Sequence, residues 1–176
     1  KFPEKFGEIR QPNTNYILIP RVSSGNREYI PMSFFNKDKI VGDTCLFVAS
    51  DDLSIFGILT SKMHMAWVNY VGGKLKGDYR YSNTLVYNTF PFPEKFSMKK
   101  KDVVRIKAQN VLDIRDNFPN ESLSNLYDPN LMPPVLKKAH HELDKAVDKL
   151  YNPKPFKDDN DRMRLLFKKY ENLVNN

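Results

Sequence analysis

Cysteine is nearly absent from the chain, which contains only Cys45. An internal disulfide is therefore impossible, and a zinc site built from cysteines is excluded. No apolar run is long enough to cross a bilayer. The first residues show neither an initiator methionine nor the pattern of a signal peptide. We therefore expect a cytoplasmic protein with no membrane partner, and we expect this sequence to be the C-terminal piece of a longer chain.

The motifs of common enzyme chemistry are missing as well. No Gly-rich nucleotide loop follows a strand, no paired acidic metal motif occurs, and no nucleophile stands beside a recognisable base. His140 and His141, with Asp144 close behind, invite a metal interpretation, but HHELD is not HExxH and no third ligand is near. We interpret His140 as a packed or solvated side chain and His64 as a structural one, with a phosphate contact as the alternative for His64. The sequence predicts no catalytic residue and no metal site.

Apolar residues and positive charge are plentiful by contrast. The 176 residues suffice for one ordinary domain or two small ones, and a hydrophobic content of 40% suffices for a packed core. Lys and Arg number 28 against 21 Asp and Glu, which gives a net charge of +7. This excess favours an anionic partner such as nucleic acid or a membrane surface, although basic domains with other functions are common.

Periodicity and breaker residues divide the chain into two parts. In the first, we predict strands over residues 15–19, 28–35, 45–49, 79–81 and 85–87, and one helix over residues 53–70. The second part shows helical apolar spacing over residues 100–117, in a helix that Pro133 and Pro134 open and that runs to about Tyr151, and after an acidic cap at residues 158–161. We therefore predict an α+β fold: a mixed α/β domain over residues 1–95, then a small helical bundle over residues 96–176.

The most informative stretch is residues 72–93, where glycines, charges and aromatics alternate. If residues 74–81 are extended, successive side chains point to opposite faces. One face would then carry Lys76, Asp78 and Arg80, and the other would carry Leu75, Tyr79 and Tyr81. A donor, an acceptor and a second donor in a row suit the edges of base pairs in the DNA major groove. On this interpretation the two tyrosines belong to the packing side.

The same stretch carries a family resemblance. Its GxLxxxYRYS pattern (residues 73–82) occurs together with YIP at 29–31, FGILTSKMHMAW at 56–67 and YNTFPFP at 87–93. These motifs resemble the target-recognition region of MmeI-like proteins, the type IIL restriction–modification enzymes and their DNA-methyltransferase relatives. Residues 126–148 resemble the helical C-terminal region of the same proteins. The similarity covers nearly the whole chain, in order.

The resemblance implies a role within a larger protein. In the MmeI-like proteins that this chain resembles, one polypeptide contains a nuclease part, a methyltransferase part, and then recognition and helical regions. The S-adenosylmethionine motif and the NPPY-type adenine-methylation motif do not occur in this sequence. We expect this chain to be no enzyme and to hold no cofactor, while its parent is an adenine-specific methyltransferase that uses S-adenosylmethionine, with or without a nuclease. The expected partners are double-stranded DNA and the parent's methyltransferase domain.

Two residue pairs are predicted to contact bases. By resemblance, the residues at Lys76 and Asp78 contact one base pair, and Lys can donate to guanine while Asp accepts from cytosine N4. Without the resemblance, both would be interpreted as a solvated surface pair. The second pair, Arg21 with Asp43, is placed by the neighbourhood of its motifs. Asp43 lies where relatives tend to carry a serine–asparagine pair, and the alternative for Asp43 is a turn residue beside Gly42.

Short hydroxyls and cations near this edge are suited to phosphate oxygens. The predicted backbone contacts are Ser23, Ser24, Arg27, Lys62, Lys74, Arg80 and Ser82. Two other functions compete with DNA recognition. The chain could be a protein-interaction module that docks on the methyltransferase part, or an enzyme in its own right, although no motif supports the latter.

Overall fold

The computed structural model describes residues 11–94 and 96–175. Residues 1–10 and 95 of the predicted first domain, and residue 176, lie outside the described residues. The strands are β1 (Tyr16–Pro20), β2 (Val22–Ser23), β3 (Ser33–Phe35), β4 (Cys45–Val48), β5 (Gly73–Leu75) and β6 (Asp78–Arg80). The helices are α1 (Leu53–Leu59), α2 (Lys62–Val71), α3 (Met98–Asp116), α4 (Leu123–Leu126), α5 (Pro134–Tyr151) and α6 (Asp159–Val174), with a π-helical turn at Asn83–Tyr87.

The strands form two small antiparallel sheets, in the orders β3-β1-β4 and β2-β6-β5. The predicted strands over residues 15–19 and 45–49 match β1 and β4 within one residue. The strand predicted over residues 28–35 shortens to β3, which lies at a sheet edge as its proline indicated. Together with the helices, the two sheets confirm the predicted α+β class.

Two predicted elements are wrong. The helix over residues 53–70 is interrupted at Thr60 and Ser61, which are buried and whose hydroxyls donate to the carbonyls of Phe56 (2.8 Å) and Ile58 (2.7 Å). These hydroxyls add second hydrogen bonds to carbonyls at the helix end that also accept from the backbone N–H groups of Thr60 and Ser61. The strand predicted over residues 85–87 is instead the π-helical turn, whose cap is Ser82. The short helix α4 was not predicted.

The second half follows the apolar spacing of the sequence closely. Helix α5 begins at Pro134 and ends at Tyr151, as predicted, because proline at the first turn lacks only an N–H that would have no partner. Helix α6 is capped by Asp158, which accepts from the N–H of Asp161 at 2.9 Å. Within the described residues, no helix is both long and apolar enough to cross a membrane.

One hydrophobic core joins the two halves. Helices α1 and α2 of the first half pack against α3, α5 and α6 of the second. Gly57 of α1 permits a close approach between helices. A Cβ at Gly57 would lie 2.9 Å from Val104 Cγ1 and 3.2 Å from both Ala108 Cβ and Leu143 Cδ1. The absence of a side chain at this position therefore lets α1 lie directly on α3 and α5.

Buried polar groups also connect the halves. The carboxylate of Asp144 on α5 accepts from the Tyr29 hydroxyl at 2.6 Å and from the backbone N–H of Lys62 at 2.7 Å. Arg115 on α3 donates to the carbonyl of Met32 at 2.7 Å. Burial raises the pKa of Asp144 to about 6, although the hydrogen bonds from Tyr29 and Lys62 favour the ionised form.

We expect Gly57→Val to lower the free energy of unfolding by about 2 kcal/mol, because the added methyl groups overpack the contact with α3 and α5. Chemical unfolding measures the change. Gly42→Ala is the matched control, since a Cβ there meets only Thr44 Oγ1, at 4.0 Å. Equal stability of the two variants would contradict the close packing of α1.

A second prediction concerns pH. Because the pKa of Asp144 is raised, the folded protein holds this proton more tightly than the unfolded chain between about pH 4 and about pH 6. The free energy of unfolding attributable to Asp144 should therefore fall as the pH rises through this window, by about 2 kcal/mol. Asp144→Asn does not titrate and should lack this fall. Urea unfolding of both proteins from pH 4 to pH 7 tests the difference; parallel profiles would refute it.

Candidate nucleic-acid interface

A tight hairpin lies at the centre of the candidate site. Strands β5 and β6 are joined by Lys76 and Gly77, whose φ angles are 52° and 90°. Positive φ at both positions is typical of the two-residue type I′ turn, whose twist matches the flanking strands. Lys76 is the one residue other than glycine with a positive φ within residues 11–94 and 96–175.

This turn corrects the predicted alternation. Residues 74–81 do not form one continuous strand, so Lys76 lies at the hairpin tip and not on a strand face. Leu75 pairs directly with Asp78 and therefore shares its face. The prediction that strand alternation places Lys76 beside Asp78, and Leu75 beside the tyrosines, is wrong. The tip still keeps Lys76 exposed, two residues from the half-buried Asp78.

The sheet β2-β6-β5 has one exposed and one buried face. Asp78 and Arg80 lie on the exposed face, together with Leu75 and Val22, which are paired with them across the strands. Tyr79 lies on the opposite face and is 5% exposed. Because the Tyr79 face of the sheet packs into the core, the face that carries Asp78 and Arg80 points to solvent.

Aromatic packing anchors the hairpin in the core. Tyr79 and Tyr81 are both buried, as the alternation predicted. The Tyr81 hydroxyl shares a hydrogen bond of 2.8 Å with His64 Nε2 on α2. His64 is fully buried, and burial lowers its pKa to about 3, so the ring is neutral at physiological pH. The structure therefore places His64 in the packing and out of reach of a phosphate.

The backbone of Arg21 joins the two sheets. Its N–H donates to the carbonyl of Thr44 at 3.0 Å, and its carbonyl accepts from the N–H of Tyr81 at 2.8 Å. The turn that holds Asp43 is thereby fixed next to Arg21, and Arg21 is fixed next to the end of β6. Both Arg21 and Asp43 are exposed. The structure therefore places this predicted pair side by side, where the two sheets meet and next to the hairpin.

The loop after β2 touches the hairpin tip. A Cβ at Gly25 would lie only 1.9 Å from the carbonyl oxygen of Gly77, so the two backbones are in direct contact. Ser24, at the start of this loop, is half-buried and accepts from the N–H of Asn26 at 3.4 Å. The loop therefore supports the tip from one side.

The predicted phosphate contacts divide into two groups. Four remain at or near the surface, on the loop, the hairpin and the turn that follows it: Ser24, Lys74, Arg80 and Ser82. Lys74 extends its ammonium over the Tyr79 ring, 4.9 Å from the ring centre. The hydroxyl of Ser82 accepts from the N–H of Leu85 at 3.2 Å.

Three other predicted contacts are held by partners within the chain. Ser23 is buried, and its hydroxyl accepts from Arg27 at 3.4 Å. The Arg27 guanidinium also donates to the hydroxyl of Ser124 at 2.7 Å. Lys62 forms an ion pair with Glu28 at 2.8 Å. These side chains therefore also connect segments of the chain, a role that no short-range pattern in the sequence indicates, and their contacts with phosphate stay a prediction.

The histidines of α5 fit a structural interpretation. His140 is buried, and its Nε2 shares a hydrogen bond of 2.6 Å with the Tyr127 hydroxyl. His141 is exposed and lies 3.4 Å from Glu28. Among the described residues, His, Cys, Asp and Glu side chains form no cluster of three or more that could hold a metal ion.

The hairpin presents polar groups on its open face, and its other face packs into the core that it shares with the helical bundle. Residues 1–94 match the family described as "MmeI, target recognition domain", and residues 96–176 match "MmeI, C-terminal domain". The chain belongs to the MmeI family. The resemblance noted from the sequence is thus confirmed, while the predicted division at residues 95/96 stays a prediction.

Two relatives show how close the similarity is. The chain is 40% identical over 172 residues to DNA methyltransferase A of Bacillus subtilis (strain 168), covering 98% of this chain and 19% of that protein. It is similar to the solved structure of the type IIL restriction–modification enzyme MmeI in complex with DNA, with a TM-score of 0.92, 43% identity, and coverage of 98% of this chain and 23% of that one. The chain therefore spans about a fifth of the length of these relatives.

Sequence reasoning missed two features of the site. It did not predict the hairpin turn, where Gly77 was the one residue of the pair that favours a positive φ and Lys76 does not belong to the usual two-residue turn signals. It also assigned Leu75 to the core and overlooked Val22, whereas both are exposed on the same face as Asp78 and Arg80. Recognising the turn would have placed Leu75 correctly.

We expect Tyr81→Phe to lower the free energy of unfolding by about 1–3 kcal/mol, because it leaves the buried His64 Nε2 without a partner. Thermal or urea unfolding measures the change. Tyr70→Phe is the matched control: the Tyr70 side chain is 54% exposed and its hydroxyl donates to Asn160 Oδ1 in a solvent-exposed hydrogen bond, so its loss should change stability by less than about 0.5 kcal/mol. Equal effects of the two substitutions would contradict the anchoring role of the Tyr81 hydroxyl.

Proposed function

We propose that this chain selects the DNA site for an adenine-specific, S-adenosylmethionine-dependent methyltransferase of which it is the C-terminal part. The observation that carries the proposal is the exposed hairpin, whose tip presents Lys76 and whose open face presents Asp78 and Arg80. The relative whose solved structure contains DNA has the same fold at 43% identity. The family that residues 1–94 match is described as a target recognition domain, which agrees with this role.

The hairpin has the dimensions and chemistry for direct readout. The major groove of B-DNA admits a two-stranded β-ribbon, and each base pair presents a distinct pattern of donors and acceptors there. We propose that Lys76 donates to guanine and that Asp78 accepts from cytosine of the same base pair. The second pair is exposed where the two sheets meet, and we propose that Arg21 donates to guanine while Asp43 accepts from cytosine.

The surrounding side chains orient the duplex. We assign the phosphate contacts to Lys74, Arg80, Ser24 and Ser82, which surround the hairpin and its supporting loop. With a net charge of +7, association should weaken steeply as salt rises, because each neutralised phosphate releases counterions. Ser23, Arg27 and Lys62 contribute indirectly, since their bonds within the chain fix the loop and the helices behind the site.

The chemistry belongs to the remainder of the parent protein. We propose that S-adenosylmethionine binding, methyl transfer and any nuclease activity lie outside this chain, and that the chain itself is not catalytic. Its second partner, besides double-stranded DNA, is then the methyltransferase domain of the same polypeptide. We place the protein in the cytoplasm, where its proposed DNA substrate lies.

The test exchanges the polarity of the first base-reading pair within the complete parent protein. In Lys76→Glu with Asp78→Arg, the donor and the acceptor trade places, so the preferred base pair should change from G·C to C·G at one position of the methylated site. Mapping modified adenines across the genome of cells that express each protein reads out the site directly.

A matched control exchanges an ion pair away from the hairpin. Lys145 and Glu142 on α5 lie 2.7 Å apart, and Lys145→Glu with Glu142→Lys should leave the methylated site unchanged. Active methylation at an unaltered site by the Lys76/Asp78 double variant would refute the proposed base contacts. A parent protein whose methylation shows no site preference would refute the recognition function itself.

A further inference from the structure

Two large apolar side chains occupy the open face of the hairpin sheet. Leu75 is 53% exposed and Val22 is 41% exposed. Neither is needed for the core, because the buried face of the same sheet already carries Tyr79. Single exposed hydrophobic residues are normal on protein surfaces. Here, however, Leu75 lies beside Asp78, which is proposed to read a base, and Val22 lies beside Arg80, which is proposed to contact a phosphate.

The strand register places them precisely with respect to those groups. Leu75 lies directly opposite Asp78, and Val22 lies directly opposite Arg80. Directly paired residues in an antiparallel sheet have Cβ atoms about 5 Å apart and point to the same side. A ligand whose surface contacts the Asp78 carboxylate therefore also contacts the Leu75 side chain.

The edges of DNA bases offer a matching apolar group. In the major groove, donors and acceptors line most base edges, whereas thymine adds its C5-methyl group, and apolar side chains contact it in direct readout. A leucine about 5 Å from a base-reading carboxylate would reach the base step beside the one that the carboxylate contacts, since stacked base pairs are 3.4 Å apart.

We propose that Leu75 is a specificity-determining residue that contacts the C5-methyl group of a thymine next to the base pair read by Asp78. The inference rests on the proposed DNA-recognition function and adds to it a contact that depends on shape and apolar burial instead of hydrogen bonding. Replacing thymine by deoxyuridine removes this methyl group and leaves every donor and acceptor of the base pair in place. The contact can therefore be tested with a single-methyl change in the DNA.

The experiment uses the complete parent protein and duplexes that carry its methylated site, as mapped in cells. Each thymine in and directly beside the site is replaced in turn by deoxyuridine, and the affinity of each duplex is measured at fixed salt. For the wild-type protein we expect one position at which this change weakens binding about fourfold, the effect of one buried methyl group. Leu75→Ala should bind the thymine and deoxyuridine duplexes equally well at that position.

Ile106→Ala on α3 is the matched control. Ile106 is 66% exposed and lies outside the hairpin sheet, so this variant should keep the wild-type sensitivity to deoxyuridine. Because Leu75 is exposed as well, its substitution should leave the thermal unfolding of the protein unchanged. A difference between the two variants then reports on the DNA contact and not on folding.

Several results would overturn the inference while leaving DNA recognition intact. These are a wild-type protein that prefers its site but ignores every deoxyuridine change, a Leu75→Ala variant that keeps the wild-type sensitivity, and a site without thymine in either strand. A uniform loss of affinity with sensitivity retained would assign Leu75 to contact with another part of the parent. Failure of the wild-type protein to prefer its site over random DNA would instead refute the recognition function.

Discussion

Burial of Tyr79 and Tyr81 is the constraint on which the recognition surface depends. The hairpin is only two short strands and a turn, and an isolated ribbon of this size is marginally stable in water. Its order comes from one face packed into the core and from the hydrogen bond between Tyr81 and His64. Because that face is held, the opposite face is presented to solvent in a fixed geometry. The desolvation that keeps His64 neutral also keeps this anchor the same across the physiological pH range.

The helical half completes this anchor. Helix α2, which carries His64, packs against α6, and α1 packs against α3 through Gly57. The recognition surface is thus one side of a continuous core whose other side is the bundle. Arg27 and Lys62, which are predicted phosphate contacts, also bond to partners in other segments of the chain. The side chains proposed to read bases are thus held in place on rigid elements, which a precise binding site requires.

The sequence predicted those features that depend on local patterns. Helix α5 could be delimited by Pro134 and by apolar spacing, and strand β1 by an apolar run ending in proline. The turn at Lys76 was missed because the alternation of residue types continues without a break through the two turn residues. The pattern of side chains alone therefore does not show where strand β5 ends. The partners of Arg27 and Lys62 could not be predicted from spacing, since Arg27 and Ser124 are 97 positions apart. The base-reading roles themselves came from family resemblance, and local chemistry alone would have left Lys76 and Asp78 as surface charges.

The single core shared by both halves has a consequence for recombination. The two family matches meet near residue 95, which makes that point look like a natural site for building chimeras. Yet a crossover there would join helices α1 and α2 of one protein to α3, α5 and α6 of another, and the buried contact at Asp144 would have to fit by chance. Under the proposed function, the portable unit of DNA specificity is therefore the recognition half inherited together with its own bundle.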